Sequence, residues 1–183
     1  NKKITINSDI KINNSIKYGI GFDVHRLVPK RKLYLAGIKI PSSIGTLGHS
    51  DGDPVLHAIA DAILGACKMG DIGEKFSDKN KKFKNIRSTI LLSKIIKQIK
   101  IKSYLINNID INIITQTPKI QKYKNKIIKS IAKLMAKEGV KPQQFHKVTG
   151  HGHKRPLKNQ LNNLDHPYHN RVSIMVRPGQ VDS

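Results

Sequence analysis

The sequence lacks several features that whole classes of proteins require. A single cysteine, Cys67, excludes an intrachain disulfide framework, and its small and apolar neighbours predict a buried, inert thiol. No apolar run approaches the ~20 residues of a membrane span, so we expect no membrane partner. Aromatic residues make up only 5% of the chain. They do not interleave with a basic stripe, as they do in proteins that bind single strands.

Acidic residues are also scarce, because 12 Asp and Glu stand against 34 Lys and Arg, for a net charge of +22. Such a charge is typical of proteins that bind nucleic acid or another polyanion. Lysine is spread through every segment, however, and rises together with Asn and Ile, as expected of an AT-rich coding genome. We therefore favour solvated lysines on helix faces over a nucleic-acid surface. The same positive field favours a small phosphorylated substrate.

The few carboxylates are concentrated in one stretch. Asp51 and Asp53 lie between His49 and His57, and Asp61 follows four residues after His57. Asp and His side chains are ligands that suit a divalent metal ion. This stretch is therefore the first candidate for a functional site.

A helix is predicted to begin inside this stretch. Asp53 is a preferred N-cap and Pro54 fits the first helical position, so we expect a helix that runs to about Lys68. His57 and Asp61 are then one turn apart on the same side. The pair is either a packed histidine bonded to an aspartate or a metal ligand with its supporting carboxylate.

A second Asp–His group lies upstream, at the end of a predicted strand over residues 17–25. The alternation of that strand directs Asp23 and His25 to one side, where both can ligate one ion. The alternative is an ordinary surface pair at a turn. Gly19 and Gly21 share the face of Asp23 and His25, and the other face carries Tyr18, Ile20 and Phe22.

The rest of the chain predicts alternating strands and helices. Residues 42–48 are expected to form a loop, Ser88 to cap a helix and Gly139 to end one. Asp71, between Gly70 and Gly73, either bonds its own turn or holds a substrate hydroxyl. Hydrophobic periodicity predicts further strands over 33–40, 106–115 and 171–176 and helices over 88–101 and 122–138.

Four motifs together resemble the 2-C-methyl-D-erythritol 2,4-cyclodiphosphate synthase family of the non-mevalonate isoprenoid pathway. They are Gly-Phe-Asp-Val-His at 21–25, His-Ser-Asp-Gly-Asp-Pro-Val-Leu-His-Ala at 49–58, Gly-Asp-Ile-Gly at 70–73 and Thr-Gln-Thr-Pro-Lys-Ile at 115–120. The resemblance covers residues 17–140, with the order and spacing of the motifs preserved.

The resemblance implies one compact α/β (α+β) domain over residues 17–178, which diverges from about residue 145. A mixed sheet would be covered by helices on one face, and three copies would form a homotrimer with their sheets around the threefold axis. Active sites would lie between subunits. Residues 1–16 would then be a flexible N-terminal extension and residues 179–183 a tail.

Site residues follow from the same resemblance by motif match. Asp23, His25 and His57 would hold one Zn²⁺ ion per subunit, and His49 and Thr149 would be catalytic and face the reacting phosphates. Asp71 and Gly73 would hold the methylerythritol part, and the segment 115–121 of a neighbouring subunit the cytidine diphosphate. The complete set of implied substrate-binding residues is Ser50, Asp61, Asp71, Ile72, Gly73, Phe76, Asp78, Thr115, Thr117, Pro118, Lys119 and Ile120.

The implied reaction is intramolecular. The 2-phosphate of 4-diphosphocytidyl-2-C-methyl-D-erythritol 2-phosphate attacks the β-phosphorus of its own diphosphate, CMP leaves, and the cyclic diphosphate closes. The enzyme would be a phosphorus–oxygen lyase that works by positioning and by cations, without a protein nucleophile.

The chain departs from the family in residues 147–154, which read Lys-Val-Thr-Gly-His-Gly-His-Lys. The family carries a Glu in this segment that binds a second divalent cation, Mg²⁺ or Mn²⁺, and here only Thr149 matches. One hypothesis is a shifted reading frame or a divergent exon, because the composition changes abruptly. The other is that His151 or His153 replaces the Glu, which would favour a softer ion.

The resemblance leaves location and two other functions open. Eukaryotes house this pathway in plastids, and the Lys- and Asn-rich start suits a processed protein of an apicoplast or chloroplast. A bacterial cytoplasm is the alternative. An inactive homologue, suggested by the missing Glu, and a basic nucleic-acid-binding domain are the competing functions.

Overall fold

The computed structural model of the chain describes residues 16–48, 50–77, 80, 83, 86–115 and 117–140, together with the backbone of residues 172–178. Its elements, in chain order, are β1 (Lys17–Gly21), β2 (Leu27–Pro29), β3 (Leu33–Leu35), β4 (Ile38–Ile40), β5 (Ile44–Thr46), α1 (Pro54–Ala66), α2 (Ile72–Lys75), α3 (Ser88–Ile101), β6 (Tyr104–Ile111), a 3-10 turn (Ile120–Tyr123), α4 (Lys124–Lys137) and β7 (Val172–Pro178).

The main sheet has the strand order β1-β7-β6, so the last strand of the chain lies in the middle. Gly19 and Ile109 both pair with Ile174, from opposite sides. Every described pairing is antiparallel, so the mixed strand directions that we expected are not seen among the described residues. The coarser prediction, a small domain of both helices and strands, is confirmed.

Two short antiparallel ribbons complete the strands. The turn at Ala36 and Gly37, both with positive φ, joins β3 to β4 and divides the predicted strand over residues 33–40 into a hairpin. The second ribbon pairs β2 with β5. The prediction of a loop over residues 42–48 is therefore wrong, since β5 lies inside it.

β1 packs directly on α1 because glycines line its inner face. A Cβ atom at Gly19 would collide with the carbonyl oxygen of Ala62, and one at Gly21 with that of Ala58. On the opposite face, Tyr18 and Ile20 are 68% and 71% exposed. The predicted division of the strand into two faces is confirmed, but the strand ends at Gly21 and leaves the motif that follows in a loop.

Asp53 caps α1, as predicted, and does more. Its buried carboxylate accepts hydrogen bonds from the backbone N–H groups of Val55 and Leu56 and also from those of Ala36 and Gly37 in the hairpin turn. One side chain thus holds the start of α1 against the β3–β4 turn. Behind it, α1 forms the centre of the core through Leu56, Ile59, Ile63 and Leu64, each of which is at most 1% exposed. Burial of each such side chain contributes about 1.5–3 kcal/mol.

α3 and α4 cover the core with the apolar positions that the periodicity predicts, among them Ile95, Ile99 and Ile131. Ser88 does not cap α3, because Arg87 is the N-cap residue and makes no side-chain capping bond. The Ser88 hydroxyl instead contacts Asp51 and His57. Gly139, at φ +79°, ends α4 as predicted.

Cys67 is 6% exposed, which confirms the prediction of a buried thiol. Burial also raises its pKa, and this disfavours the reactive thiolate. In the part of the chain that the structure describes, no helix combines the length and apolar character needed to cross a membrane.

Candidate metal centre

Asp23, His25 and His57 converge at the end of the main sheet. One potential ligand atom from each lies within 4.8 Å of the other two. Asp23 Oδ2 is central to the group, since it lies 2.9 Å from His25 Nε2 and 3.1 Å from His57 Nδ1. The structure therefore brings Asp23 and His25 together with His57 of the acidic stretch.

The fold explains this convergence. Because Gly19 and Gly21 let β1 lie against α1, the loop that leaves β1 passes the first turn of that helix. Asp23 and His25 lie on this loop, and His57 lies one turn into α1. The two imidazole rings have centroids 5.6 Å apart.

The outer nitrogen of His25 is tied to the backbone. His25 Nδ1 lies 2.7 Å from the carbonyl oxygen of Leu47, which can only accept, so Nδ1 carries the proton and donates. Leu47 is itself held, because its N–H donates to Arg26. With its proton on Nδ1, the neutral ring presents the lone pair of Nε2 to Asp23 and His57, as a metal ligand does.

The surroundings of Asp23 and His25 favour a charged carboxylate beside a protonated imidazole. Burial raises the pKa of Asp23, but hydrogen bonds and charge attraction from His25 and His57 outweigh it and lower that pKa from 3.8 to about 2. The hydrogen bond to Asp23 raises the pKa of His25, more than burial lowers it. A metal ion at this position must displace a proton from His25, so its affinity has to rise with pH.

The chemistry of the donor set fits a zinc ion. Two imidazole nitrogens and one carboxylate oxygen are typical of catalytic zinc sites, in which three protein ligands leave a position for water or substrate. The three donor atoms lie close together, and each side chain is half-buried. Both features are consistent with a site that binds a cation. The three predicted ligands therefore form a candidate metal-binding group.

Ser50 lies beside this centre, with its Oγ 3.2 Å from His57 Nε2 and accepting from the N–H of Gly52. The preceding residue, His49, lies outside the described residues, as do Asp78 and Thr149. The prediction that His49 and Thr149 are catalytic therefore stays a prediction.

Asp61 does not hydrogen-bond His57, so the expectation that it supports the histidine is corrected. Its Oδ1 accepts from the backbone N–H of Ile72 at 2.8 Å. That hydrogen bond fastens the turn of the Gly-Asp-Ile-Gly motif to α1. Burial raises the pKa of Asp61 more than this hydrogen bond lowers it.

The turn at Asp71 matches both interpretations of the sequence. Asp71 caps the one-turn helix α2 by accepting from Glu74 N–H at 2.8 Å, and it remains exposed together with Gly73. Either residue is therefore accessible to a ligand. Phe76 is only 9% exposed and meets Phe83 edge-to-face, so it packs in the core more than it lines a surface.

The segment of Thr115 to Ile120 forms a turn of its own. Thr115 Oγ1 donates to the carbonyl of Thr117, and a cis bond precedes Pro118. Lys119 is exposed and Ile120 packs against the core. Among the described hydrogen bonds, none joins this turn to Asp23, His25 or His57.

Two functional candidates, Asp51 and Ser88, were missed by the sequence reasoning. Ser88 Oγ lies 2.8 Å from His57 Nε2 and donates to Asp51 Oδ1, and Arg87 pairs with the same carboxylate. Asp51 belongs to the acidic stretch, but its sequence neighbours indicate no specific partner for it. No local pattern links it to a serine 37 residues away.

Comparison with known proteins gives one family model, described as the YgbB family, which matches residues 16–153. A bifunctional enzyme IspD/IspF of Pelagibacter ubique is 81% identical over 134 residues, which is 73% of this chain and 36% of that protein. A 2-C-methyl-D-erythritol 2,4-cyclodiphosphate synthase of Clostridium botulinum (strain Eklund 17B / Type B) is 50% identical over 117 residues, 64% of this chain and 74% of the relative. The chain thus spans about a third of the bifunctional relative's length.

Solved structures show the same likeness. The bifunctional IspDF from Campylobacter jejuni superposes with a TM-score of 0.74 and 32% identity over 91% of this chain and 43% of that one. A CDP complex of IspF from Plasmodium falciparum superposes with a TM-score of 0.67 and 32% identity, over 91% of this chain and 99% of the other.

Proposed function

This chain belongs to the YgbB family, whose model matches it over residues 16–153, and on that premise we propose that it is a 2-C-methyl-D-erythritol 2,4-cyclodiphosphate synthase of isoprenoid biosynthesis. Relatives with this name are about half identical to it. The observation that carries the proposal is the convergence of Asp23, His25 and His57 into one group that could hold a metal ion.

The reaction is a phosphorus–oxygen lyase reaction within one substrate molecule. An oxygen of the 2-phosphate forms a bond to the β-phosphorus of the cytidine diphosphate group, and the bond from that phosphorus to the bridging α,β-oxygen breaks. The bridging oxygen leaves with CMP. No water enters, and no bond forms to the protein, so positioning of the phosphates and positive charge facing them would carry the reaction.

Asp23, His25 and His57 would hold a zinc ion, which would supply a positive charge to oxygens of the phosphates during transfer. Ser50, 3.2 Å from the ring of His57, lies where its hydroxyl can orient a phosphate. Asp71 would accept a hydroxyl of the methylerythritol part, a role that its exposed carboxylate permits.

The remaining parts of the site are proposed from the family. His49 and Thr149 would face the phosphates. A second divalent cation, Mg²⁺ or Mn²⁺, would supply further positive charge there, although residues 147–154 contain no match for the Glu that holds it in the family. Thr115, Thr117, Pro118, Lys119 and Ile120 would bind the cytidine diphosphate. A family member in complex with CDP supports a nucleotide substrate of this kind.

We propose a homotrimer for the assembly, because the nucleotide segment and the metal centre would then meet across subunits. The exposed apolar side chains of Tyr18 and Ile20 on the outer face of β1 support packing between copies. A homotrimer would bury these side chains and complete each active site with a neighbouring turn.

The location expected from the lysine-rich start is not supported. The Pelagibacter and Clostridium relatives are bacterial, which does not fit a plastid. A bacterial cytoplasm, the alternative location, fits these relatives and is the one that we propose.

The direct test is release of CMP from 4-diphosphocytidyl-2-C-methyl-D-erythritol 2-phosphate. We expect wild type to release CMP, a chelator to stop it, and Zn²⁺ with Mg²⁺ to restore it, whereas His57→Ala should stay inactive. Lys129→Ala, on the exposed face of α4, is the control and should match wild type. CMP release that survives complete metal removal would overturn the proposed metal-dependent function.

A further inference from the structure

Ser88 lies between His57 and Asp51, an aspartate outside the candidate metal-binding group. It is 1% exposed at the start of α3. Its Oγ lies 2.8 Å from His57 Nε2 and also contacts Asp51 Oδ1. His57 Nε2 is the ring nitrogen on the side away from Asp23, whose Oδ2 lies 3.1 Å from Nδ1.

Donor and acceptor rules fix the direction of these hydrogen bonds. A carboxylate only accepts, so Ser88 must give its one hydroxyl proton to Asp51. The Ser88 oxygen can then only accept from His57, and Nε2 must carry a proton to make that hydrogen bond. In the neutral ring, the lone pair is therefore on Nδ1, the nitrogen that faces Asp23.

Asp51 is held rigidly in this arrangement. Its Oδ1 also accepts from the Ser88 backbone N–H at 3.1 Å, and its Oδ2 pairs with Arg87 Nε at 2.9 Å. Arg87 is anchored in turn, because it donates to the carbonyl of Gly37 and lies over the ring of Tyr34 at 4.6 Å. Both carboxylate oxygens of Asp51, which accepts the Ser88 proton, are thus held in place by hydrogen bonds.

Ser50 is the competing partner of His57 Nε2, at 3.2 Å. Its oxygen accepts from the N–H of Gly52, so its own proton is free to point at Nε2, which would require the opposite tautomer. The shorter contact of Ser88 and its fixed proton decide between the two.

We propose that Ser88 and Asp51 are positioning residues for the metal centre, which hold the proton of His57 on Nε2 and direct the lone pair of Nδ1 to the metal ion. The pair does for His57 what the Leu47 carbonyl does for His25. A ligating imidazole usually donates its other N–H directly to a carboxylate or a carbonyl oxygen. Here a serine hydroxyl lies between the imidazole and the carboxylate. This inference rests on the metal role of His57 in the proposed function.

The first test measures Zn²⁺ affinity of the full chain, stripped of metal, by competition with a chromogenic chelator. Ser88→Ala should weaken affinity by roughly 10–100-fold, the usual effect of removing such a support. Ser88→Thr keeps the hydroxyl and should recover most of that loss. Ser93→Ala is the matched control in the same helix, since it also removes a serine–carboxylate hydrogen bond, to Glu138, and should leave Zn²⁺ affinity at the wild-type level.

The second test locates the proton by NMR of ring-labelled histidine in the zinc-loaded wild type. We expect the proton of His57 on Nε2, protected from exchange with water, and faster exchange in Ser88→Ala. A proton on Nδ1 in wild type would overturn the proposal, and this measurement decides even if Ser88→Ala does not fold.

The two proposals fail in different ways. If His57→Ala abolishes tight Zn²⁺ binding while Ser88→Ala binds as wild type does, the positioning pair is refuted and the metal centre stands. If His57→Ala itself retains wild-type affinity, the metal role of His57 is refuted, and the positioning role with it.

Discussion

Asp61 Oδ1 accepts a hydrogen bond from the backbone N–H of Ile72 at 2.8 Å. This bond ties the turn of the Gly-Asp-Ile-Gly motif at residues 70–73 to α1, the helix that carries His57. The helix α1 therefore positions two parts of the site, one through a side chain that can bind metal and one through a carboxylate that holds a loop. The proposed metal centre and the proposed methylerythritol contact share one rigid support.

Asp61→Ala should loosen the turn that presents Asp71. We expect KM for the substrate to rise more than kcat falls, because binding geometry is lost while the metal ligands remain. The unfolding free energy should drop by about 1–3 kcal/mol, since the Ile72 N–H loses its acceptor. Steady-state kinetics and urea unfolding measure both effects. Asp61→Asn keeps an acceptor and is the control, and an equally large rise of KM in that variant would contradict the role given to Asp61.

Gly21→Ala should damage both the fold and the metal centre. The added Cβ would meet the backbone carbonyl of Ala58, which cannot move without shifting α1. We expect a loss of about 1–3 kcal/mol in urea unfolding, as for other overpacked sites, together with weaker Zn²⁺ binding.

Gly65→Ala is the matched control for this substitution. Gly65 lies in α1, and a Cβ there meets nothing within 4 Å. The variant should gain about 0.5–1 kcal/mol, because alanine loses less backbone entropy in a helix. If both alanine variants changed stability by the same amount and sign, close packing of β1 on α1 would not be the cause.

Asp53→Ala should be the most destabilising change of a carboxylate in the described fold. Four backbone N–H groups lose their acceptor, two in α1 and two in the β3–β4 turn. We expect a loss of more than about 2 kcal/mol in chemical unfolding, since a cap alone contributes ~1 kcal/mol and the buried donors add to it. Loss of 0.5 kcal/mol or less, on the order of one weak hydrogen bond, would show that these groups find other partners.

The metal-free and zinc-loaded proteins should respond to pH in opposite ways. The pKa of His25 is raised by Asp23, so its contribution to stability is full below pH 6.5 and is lost as pH rises through the folded value. Zinc requires the neutral ring, so stabilisation by zinc grows over the same range. We expect the metal-free protein to melt lower at pH 8 than at pH 6, and the rise of Tm with added zinc to be larger at pH 8.

The acidic side of the profile reports on Asp23. Its folded pKa of about 2 lies below the usual 3.8, so the stability that it contributes is present above pH 3.8 and is lost as pH falls toward 2. His25→Ala is the control for both limbs. In the metal-free variant, Tm should differ less between pH 6 and pH 8, and less stability should be lost below pH 3.8. An unchanged dependence of stability on pH would contradict the pairing of Asp23 with His25.

Local rules of the sequence predicted the parts of the site that lie close along the chain. Asp53 with Pro54 correctly predicted the helix start. Asp23 and His25 do lie together as strand alternation predicted, but on a loop, because the strand ends at Gly21. Helical spacing correctly put Asp61 on the side of His57, but spacing does not say which donor reaches a carboxylate. The N–H of Ile72, brought in by the next turn, is the actual partner.

Contacts between distant segments were out of reach of such rules. The hydrogen bond of Ser88 to Asp51 joins residues 37 positions apart, and Ser88 at a helix start has an ordinary local explanation as a cap. β5 was missed because it has three residues and contains Gly45. That glycine is needed there because a Cβ would collide with the backbone of Lys32, a reason visible only in the folded chain.

The most direct test of the proposed function is the fate of water in the reaction. The zinc-loaded protein would be given 4-diphosphocytidyl-2-C-methyl-D-erythritol 2-phosphate in ¹⁸O-labelled water, with His57→Ala in parallel, and the products weighed by mass spectrometry. Intramolecular transfer predicts CMP and a cyclic diphosphate, both without ¹⁸O, from wild type alone. Label in either product, or the same rate from His57→Ala, would contradict a cyclising enzyme built on the Asp23–His25–His57 centre.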